Sequence, residues 1–413
     1  MKRPGLIFLF LFLIAFSGIA QESQQFVTIS GVVRDARTRQ TIAFASVFIP
    51  GTTIGTVANL DGAFSLKVQK SLNASQFGIS HLGYRTTLFS IEENLGAGKV
   101  FFLEPHSVTL PEVVIHDGNP RDLVGKAIDR IPDNYPSEAQ RLTGFYREAI
   151  KQRRDYVSIS EAVIEVDQTS YGYRSARDRV KIVQARKSGD VKKMDTLVVK
   201  LQGGPHVAML LDVVKNPDVI LDKEFMQYYE YEFQDVVIID GRNTYVVGFK
   251  PRMTLPISLY YGRLYIDVET LAFTMAEFSL DLSDRDKAAR NFIVKKPLRL
   301  RFTPTRTSYL VTYKKIGDKF YLNYVRNEME FFADWRRRIF RTGYTIMSEM
   351  AVTERNPETS GRFALRETFR PSNILADMVM SYFDEEFWGA YNVIEPEESI
   401  ESAIQKFNQR FEE

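Results

Sequence analysis

The stretch ISGVVRDARTRQTIAFASVFIPGTTIGTVANLDGAFSL, Ile29 to Leu66, decides how the chain is built. Just before and into it, Phe26, Thr28 and Ser30 alternate with Val27, Ile29 and Gly31, the period of a strand with one buried face. Asp35 to Gln40 is polar and turn-forming. Ala45, Val47 and Ile49 share one face of a second strand, which Pro50-Gly51 ends. Gly55-Thr56-Val57 makes a short third strand, and Asn59-Leu60-Asp61-Gly62 a tight turn, since Asp-Gly tolerates positive φ. Phe64, Leu66 and Val68 then point inward while Ser65 and Lys67 point out. Strands this short, punctuated by Gly, Pro, Asn and Asp, predict an antiparallel sandwich. Phe77 with Ile79, Leu88 to Ile91, and Val100 to Leu103 complete it.

Ile29, Gly31, Val33, Asp35, Thr38, Ala45, Val47, Ile49, Gly51-Thr52, Gly55-Thr56, Asp61-Gly62 and Phe64 follow the spacing of carboxypeptidase regulatory-like domains. The stretch resembles that family, and so do Gly83-Tyr84 and the exit Leu110-Pro111-Glu112-Val113-Val114-Ile115. Ile42 departs from the pattern, standing where the family usually has Pro. The resemblance implies a transthyretin-type β-sandwich over residues 26–115, a module found at the N-termini of many exported proteins of Gram-negative bacteria. Such modules accompany carboxypeptidases without being one. A zinc carboxypeptidase needs a His and a Glu three residues apart plus a distant His. None of His81, His106, His116 and His206 is followed three residues later by Glu. No metal and no cofactor are expected.

Ahead of the sandwich, Lys2 and Arg3 precede an unbroken apolar run from Leu6 to Phe16, with Gly18 and Ala20 before Gln21. This is the layout of a secretory signal peptide over residues 1–20; the run is shorter than the roughly 20 residues of a membrane span. The chain carries 54 Lys+Arg against 52 Asp+Glu, and the signal holds two of the basic residues. The mature chain is therefore formally neutral, which argues against a global attraction to nucleic acid. With no cysteine, a disulfide scaffold, a thiol nucleophile and an N-terminal lipid-anchored Cys are all excluded. No later apolar run is long enough for a transmembrane helix. Aromatic residues make up 13% of the chain, a composition that favours strands.

Residues 116–140 hold a connecting helix. Asn119 is placed to cap it, Pro120 suits the first turn, and Leu123, Val124, Ala127, Ile128 and Ile131 share a face that Pro132 ends. From 141 to 370, alternation recurs in run after run: Leu142 to Ala149 with Tyr156 to Val166, Asp195 to Leu201, Glu230 to Ile239 with Asn243 to Phe249 around Asp240-Gly241, Ile257 to Val268 with Leu271 to Asp281, Tyr309 to Lys314 with Tyr321 to Phe331, and Ile339 to Val352. The fold class is mainly β, a transthyretin-like sandwich plus a larger antiparallel sheet, half-barrel or sandwich, with a few packed helices. A helical segment over 371–413 closes the chain, with Pro396 opening a helix whose stripe is Ile400, Ala403, Ile404, Phe407 and Phe411.

Gly262-Arg263-Leu264-Tyr265-Ile266-Asp267 with Thr270 and Phe273 resembles the hairpins of periplasmic lipoprotein-carrier half-barrels, over this hairpin alone. That resemblance implies a concave face able to accept an acyl chain; read from the residues, the aromatics are core. The Leu-x-Glu-Val-Val exit, Asn119-Pro120 and Thr143-Gly144-Phe145-Tyr146-Arg147 resemble exported proteins in which the same module precedes an uncharacterised β-rich region. Two basic clusters stand out against the neutral total: Arg174, Arg177, Arg179 and Lys181 in a run reaching Lys193, and Arg336, Arg337 and Arg338 beside Trp335. They read as a solvated loop and a hairpin tip, with phosphate of outer-membrane lipid as the anionic partner they would meet. No Gly-x-Ser-x-Gly elbow and no phosphate-cradling Gly loop occur. The expectation is a non-enzymatic cell-envelope protein, periplasmic or outer-membrane associated, whose large domain binds a lipid, glycan or protein partner. The alternatives are an envelope hydrolase working through carboxylates and a structural outer-membrane assembly factor.

Overall fold

A computed structural model describes residues 26–106, 118–172, 177–189, 200–201, 204–290, 293–295, 300–335, 341–357, 361–370, 373–378, 389 and 391–397. The signal-like segment 1–20 and the helix foreseen after Pro396 lie outside the described residues, as does most of the strand foreseen over Asp195 to Leu201.

Seven strands form the N-terminal module: β1 (Phe26–Asp35), β2 (Ser46–Phe48), β3 (Gly55–Val57), β4 (Ala63–Gln69), β5 (Gln76–Ser80), β6 (Thr87–Ser90) and β7 (Gly96–Leu103). They pair as two sheets, β4-β1-β7 and β3-β2-β5-β6. Inward residues of both enclose one core, in which Ile29, Val33, Val47, Phe64, Leu66, Phe77, Ile79 and Phe101 are buried. The expectation of an antiparallel sandwich needs one correction, since β1 and β7 run parallel. The 60 residues between Asp35 and Gly96 supply the long crossover that parallel neighbours require. Gly31 has a packing reason, because a Cβ there would stand 2.4 Å from the Phe101 ring. The family-like residues Asp35, Thr38 and Tyr84 have a local one. The Asp35 carboxylate accepts from the main-chain N–H groups of Arg37 and Thr38, both at 2.7 Å, and from the Tyr84 hydroxyl at 2.8 Å.

The second module opens with α1 (Pro120–Asp129) and α2 (Ile131–Asn134). Asn119 caps α1 through its side chain, which accepts from the Arg121 N–H at 2.9 Å. Pro132 does not end the helical run but sits in the first turn of α2, where its missing N–H is not needed. Then come β8 (Gln140–Gln152), β9 (Asp155–Gln168), β10 (Arg179–Gly189), β11 (Lys200–Leu201), α3 (Pro205–Leu210), β12 (Tyr229–Ile239), β13 (Arg242–Pro251), β14 (Tyr260–Asp267) and β15 (Phe273–Leu280). They are followed by α4 (Arg285–Ala289), β16 (Ile293–Lys295), β17 (Leu300–Ile316), β18 (Lys319–Trp335), β19 (Thr342–Asn356) and α5 (Leu375–Met378). Ten of these strands make one open sheet of order β10-β9-β8-β19-β18-β17-β15-β14-β13-β12, antiparallel throughout.

Two departures from the sequence reading have physical causes. β10 occupies the basic run read as a solvated loop: Val180, Ile182 and Ala185 are buried on one side while the charged residues alternate onto the other. β17 and β18 are each 17 residues long, well beyond the foreseen Tyr309–Lys314 and Tyr321–Phe331. Register shifts at Pro304/Arg306 and Thr312/Tyr313 break the period-2 alternation along the pair.

The two faces of the ten-stranded sheet differ. One is covered by α1, by Tyr135 and by the segment from Ala208 to Met226, which bury Tyr146, Ile164, Val247, Leu264, Phe273, Val311 and Leu322. The aromatics there are core, as the residue reading has it, and Tyr135 sends its hydroxyl 2.6 Å to the Phe273 carbonyl. The opposite face meets the N-terminal sandwich and a strap, residues 391–397.

Candidate functional site

The sandwich leans on the second face of the sheet at one end and leaves a cleft at the other. Leu82 packs with Val246, Tyr265, Met275 and Leu310, and Phe44 stacks on Tyr324 with ring centres 5.7 Å apart. Beyond these contacts a cleft of about 810 Å³ opens between Phe44 and Leu60 of the sandwich and strands β12 to β18. A smaller one of about 410 Å³ adjoins it, sharing Leu60, Arg326 and Glu328, and reaches the β8–β9 hairpin at Lys151, Arg153 and Arg154.

Alternation puts polar side chains on the cleft floor because the same strands spend their apolar residues on the helix-covered face. Tyr229, Tyr245, Leu264, Phe278 and Tyr309 go to the core; Glu230, Lys250, Arg263, Glu277 and Ser308 line the cleft. Its charges come in pairs, two cross-strand and a third within β18. Lys250 lies 3.4 Å from Glu230, Arg263 3.9 Å from Glu277, and Arg326 3.4 Å from Glu328. Tyr265 adds a hydroxyl donated 2.9 Å to Glu277. Tyr261, 49% exposed, is the one large aromatic ring presented to the cleft with much of its surface free. Such a site offers directed hydrogen bonds and one flat apolar platform.

Next to the cleft the same face holds a buried ion network. Arg147 has no exposed surface. Its guanidinium lies 2.7 Å from Glu161 and 2.9 Å from Glu349, both carboxylates 1% exposed. Glu161 also takes Arg186 at 2.5 Å, and Glu349 takes the Tyr324 hydroxyl at 2.7 Å and Arg326 at 3.3 Å. Burial alone would raise the Glu161 carboxyl; Arg147 and Arg186 together hold it below the usual carboxylate range. Arg147 also donates to the carbonyls of Ile394 at 2.8 Å and Glu395 at 3.3 Å. The strap is held from the sandwich too, by Thr56 to the Val393 carbonyl at 2.9 Å and by Asn59 to the carbonyls of Glu395 and Pro396 at 3.2 and 3.0 Å. It joins the edge of β4 through a bridge between Ser65 and Val393. These donors meet main-chain carbonyls, while the Asn392 side chain accepts from the Lys67 N–H at 2.6 Å.

On the covered face, Asp212 is fully buried and accepts from the hydroxyls of Tyr171 and Tyr313, both at 2.8 Å. Burial raises its carboxyl pKa against those hydrogen bonds. Lys215 is 3.1 Å from Asp178 and donates to Thr169. These groups sit in packed core and serve the fold.

Of the basic residues singled out from sequence, Arg177 is exposed and its carbonyl accepts from Arg362. Arg179 donates 2.6 Å to the Phe363 carbonyl, and Lys181 lies 3.9 Å from Glu165 and 5.3 Å from the Phe363 ring centre. Arg179 and Lys181 stand on β10 with their side chains engaged by the fold, and Arg177 lies just ahead of it. Arg174, Arg336, Arg337 and Arg338 fall outside the described residues. Glu161, Arg326 and Glu349 were passed over, and Arg147 was noticed only as part of a resemblance. The available signal was a charged residue at an otherwise apolar strand position, such as Arg147 between Phe145 and Ala149. Among the described residues no three His, Asp or Glu side chains are grouped to hold a metal, and no helix is long and apolar enough to cross a membrane.

Comparison with known proteins adds little about the sheet. No curated protein matches the chain. A solved outer-membrane lipoprotein-sorting protein domain from Vibrio parahaemolyticus aligns at 8% identity over 59% of this chain and 94% of its own, with a TM-score of 0.25. A DUF1329 family protein from Desulfovibrio piger aligns at 12% identity over 57% and 94%, with a TM-score of 0.24. A LolA superfamily protein from Nitrosomonas europaea aligns at 11% identity over 61% and 98%, with a TM-score of 0.21. Overlaps this slight carry no argument about the ten-stranded sheet or its ligand. For the sandwich the outcome is firmer: residues 29–115 match the family model of the CarboxypepD_reg-like domain, and a β-rich region follows them.

Proposed function

We propose that this chain is an exported cell-envelope protein that binds a partner without covalent chemistry, using the cleft between its sandwich and its sheet. The observation that carries the reading is the cleft of about 810 Å³, walled by both modules and floored by paired charges. Export is supported by the layout from Lys2 to Ala20. Each of Glu230, Glu277 and Glu328 has a cation within 4 Å, an arrangement suited to orienting a ligand rather than to exchanging protons with one. The helix-covered face is filled by its own side chains over the described residues, which favours a polar partner over an acyl chain. In this reading the sandwich, residues 26–115, is the docking wall, the 116–140 helix joins it to the sheet of 141–370, and 371–413 supplies the strap.

The test is affinity capture from solubilised envelopes with the whole protein and with the cleft variant Tyr261→Ala/Arg263→Ala. Capture that survives both changes undiminished would refute the cleft as the binding surface. Mass spectrometry of the protein recovered from the envelope fraction checks export, which requires an N-terminus at Gln21.

A further inference from the structure

One row of residues crosses the whole ten-stranded sheet on the cleft-bearing face. Following directly opposed partners strand by strand, it reads Glu232, Gly248, Arg263, Glu277, Leu310, Arg326, Glu349, Arg147, Glu161, Arg186. Acid and base alternate except at Gly248 and Leu310. Gly248 is where Gln234 lies, its amide nitrogen 2.2 Å from the place a Cβ would take. Leu310 is where the sandwich touches the sheet through Leu82 and Phe44. The row is thus one device in two halves, β10 to β18 and β17 to β12.

The first half is occupied. The strap crosses it from β8 to β18. Its Ile394 carbonyl is on Arg147 of β8, and its Glu397 carboxylate is 3.6 Å from Arg326 of β18, two strands further on. Three extended residues advance about 10 Å, and two strand spacings are about 9.6 Å, so the chain advances in step with the row. Arg147 reads main-chain carbonyls there, which any sequence supplies. The second half keeps three charges, Glu232, Arg263 and Glu277, with Gly248 and Leu310 interrupting the alternation, and all three line the open cleft.

We propose that the open half of the row is a binding site for an extended segment of a partner protein, about six residues long, laid across the strands as the strap is. From β17 to β12 there are four strand spacings, about 19 Å, which six extended residues span. Arg263 takes a main-chain carbonyl as Arg147 does, and Glu277 and Glu232 take main-chain N–H groups or a basic side chain. Tyr261 and Leu60, both nearly half exposed, receive one apolar side chain. The proposal rests on the cleft reading above and names the chemistry of its ligand.

The chain has no cysteine, so Ser308→Cys in the cleft floor can carry a single environment-sensitive dye on the otherwise intact protein. Decapeptides selected from a random displayed library are titrated against it, alongside chitohexaose and vesicles of phosphatidylglycerol. The expected result is saturable binding of selected peptides, weakened about tenfold by Arg263→Ala, by Glu277→Ala, and by N-methylation of alternate peptide amides. Both side chains are well exposed, so unchanged thermal melting confirms that these variants fold. Peptide binding indifferent to both replacements overturns the proposal. A response to chitohexaose or vesicles alone overturns it while leaving the cleft as a binding surface. No response to any of the three probes removes both.

Discussion

Replacing Arg147 by Met removes the centre of the buried network while keeping its volume. The methionine loses both ion pairs and both carbonyl contacts to the strap. Glu161 keeps Arg186, and Glu349 keeps Tyr324 and Arg326, so neither carboxylate is left wholly alone. Breaking a buried pair costs about 3–5 kcal/mol, and the retained partners put this case near 3. The unpaired Ile394 carbonyl adds about 1 kcal/mol. At roughly 2–4 °C per kcal/mol for a module of this size, Arg147→Met should lower the melting temperature by about 10 °C at pH 7.5. Calorimetry with far-UV circular dichroism measures it. The pH dependence sharpens the test. The Glu161 carboxyl is held below its ordinary value in the fold, so its contribution is present above the unfolded value of about 4.3 and is lost as pH falls through the lower folded one. The gap between variant and parent should therefore hold down to about pH 4.3 and narrow below it. A variant melting within 2 °C of the parent at pH 7.5, or a gap that widens in acid, would refute the account of the network.

Other predictions follow from single contacts. Tyr171→Phe and Tyr313→Phe each leave the buried Asp212 one donor short and should cost about 2 kcal/mol in urea unfolding, with a double variant that is not additive. Lys314 has its ammonium over the Phe48 ring and 3.5 Å from Ser46; burial, against the attraction of Asp240, pushes it down to about 7. A base depressed in the fold makes stability rise with pH between about 7 and 10.5, so melting temperature should climb over that range, and Lys314→Met should flatten the climb and gain about 1 kcal/mol at pH 7. Gly262→Ala drives a Cβ to 2.0 Å from the Glu277 carbonyl, whereas Gly248→Ala meets only the movable end of Gln234 at 2.2 Å. The first should cost about 3 kcal/mol and the second under 1, and chemical denaturation separates them.

What the sequence disclosed tracks how local each cause is. The turn at Asn59 to Gly62 was legible because its chemistry lies within five residues: Asn59 accepts from the N–H groups of Asp61 and Ala63, at 3.0 and 2.9 Å. The same holds for the hairpin at Asp240-Gly241, where both residues take positive φ, and for the Asn119 cap. β10 was misread because its outward positions are Arg and Lys, and their charge masked the period of Val180 and Ile182. The row across the sheet was invisible for a different reason. Its members are scattered from Arg147 to Glu349, and only the register of ten strands lines them up. The strap left little trace, since Arg147, Thr56 and Asn59 hold it through carbonyls that every residue carries, and its side-chain contacts, Asn392 to Lys67 and Glu397 to Arg326, join residues far apart in the sequence.

The clasp between Thr56 or Asn59 and residues 393–396 joins positions 336 or 337 apart in the chain. Closing so long a loop costs about 2.5 kcal/mol more than closing one of 20 residues, at about 0.6 per doubling. A newly made chain therefore spends its early life with a finished sandwich and no lock on it, since the strap emerges some 290 residues after Leu103. Once closed, the clasp makes the covalent link between the modules mechanically redundant. A protease cut between the sandwich and α1 should leave two fragments that travel together through gel filtration, and Asn59→Ala should let them part.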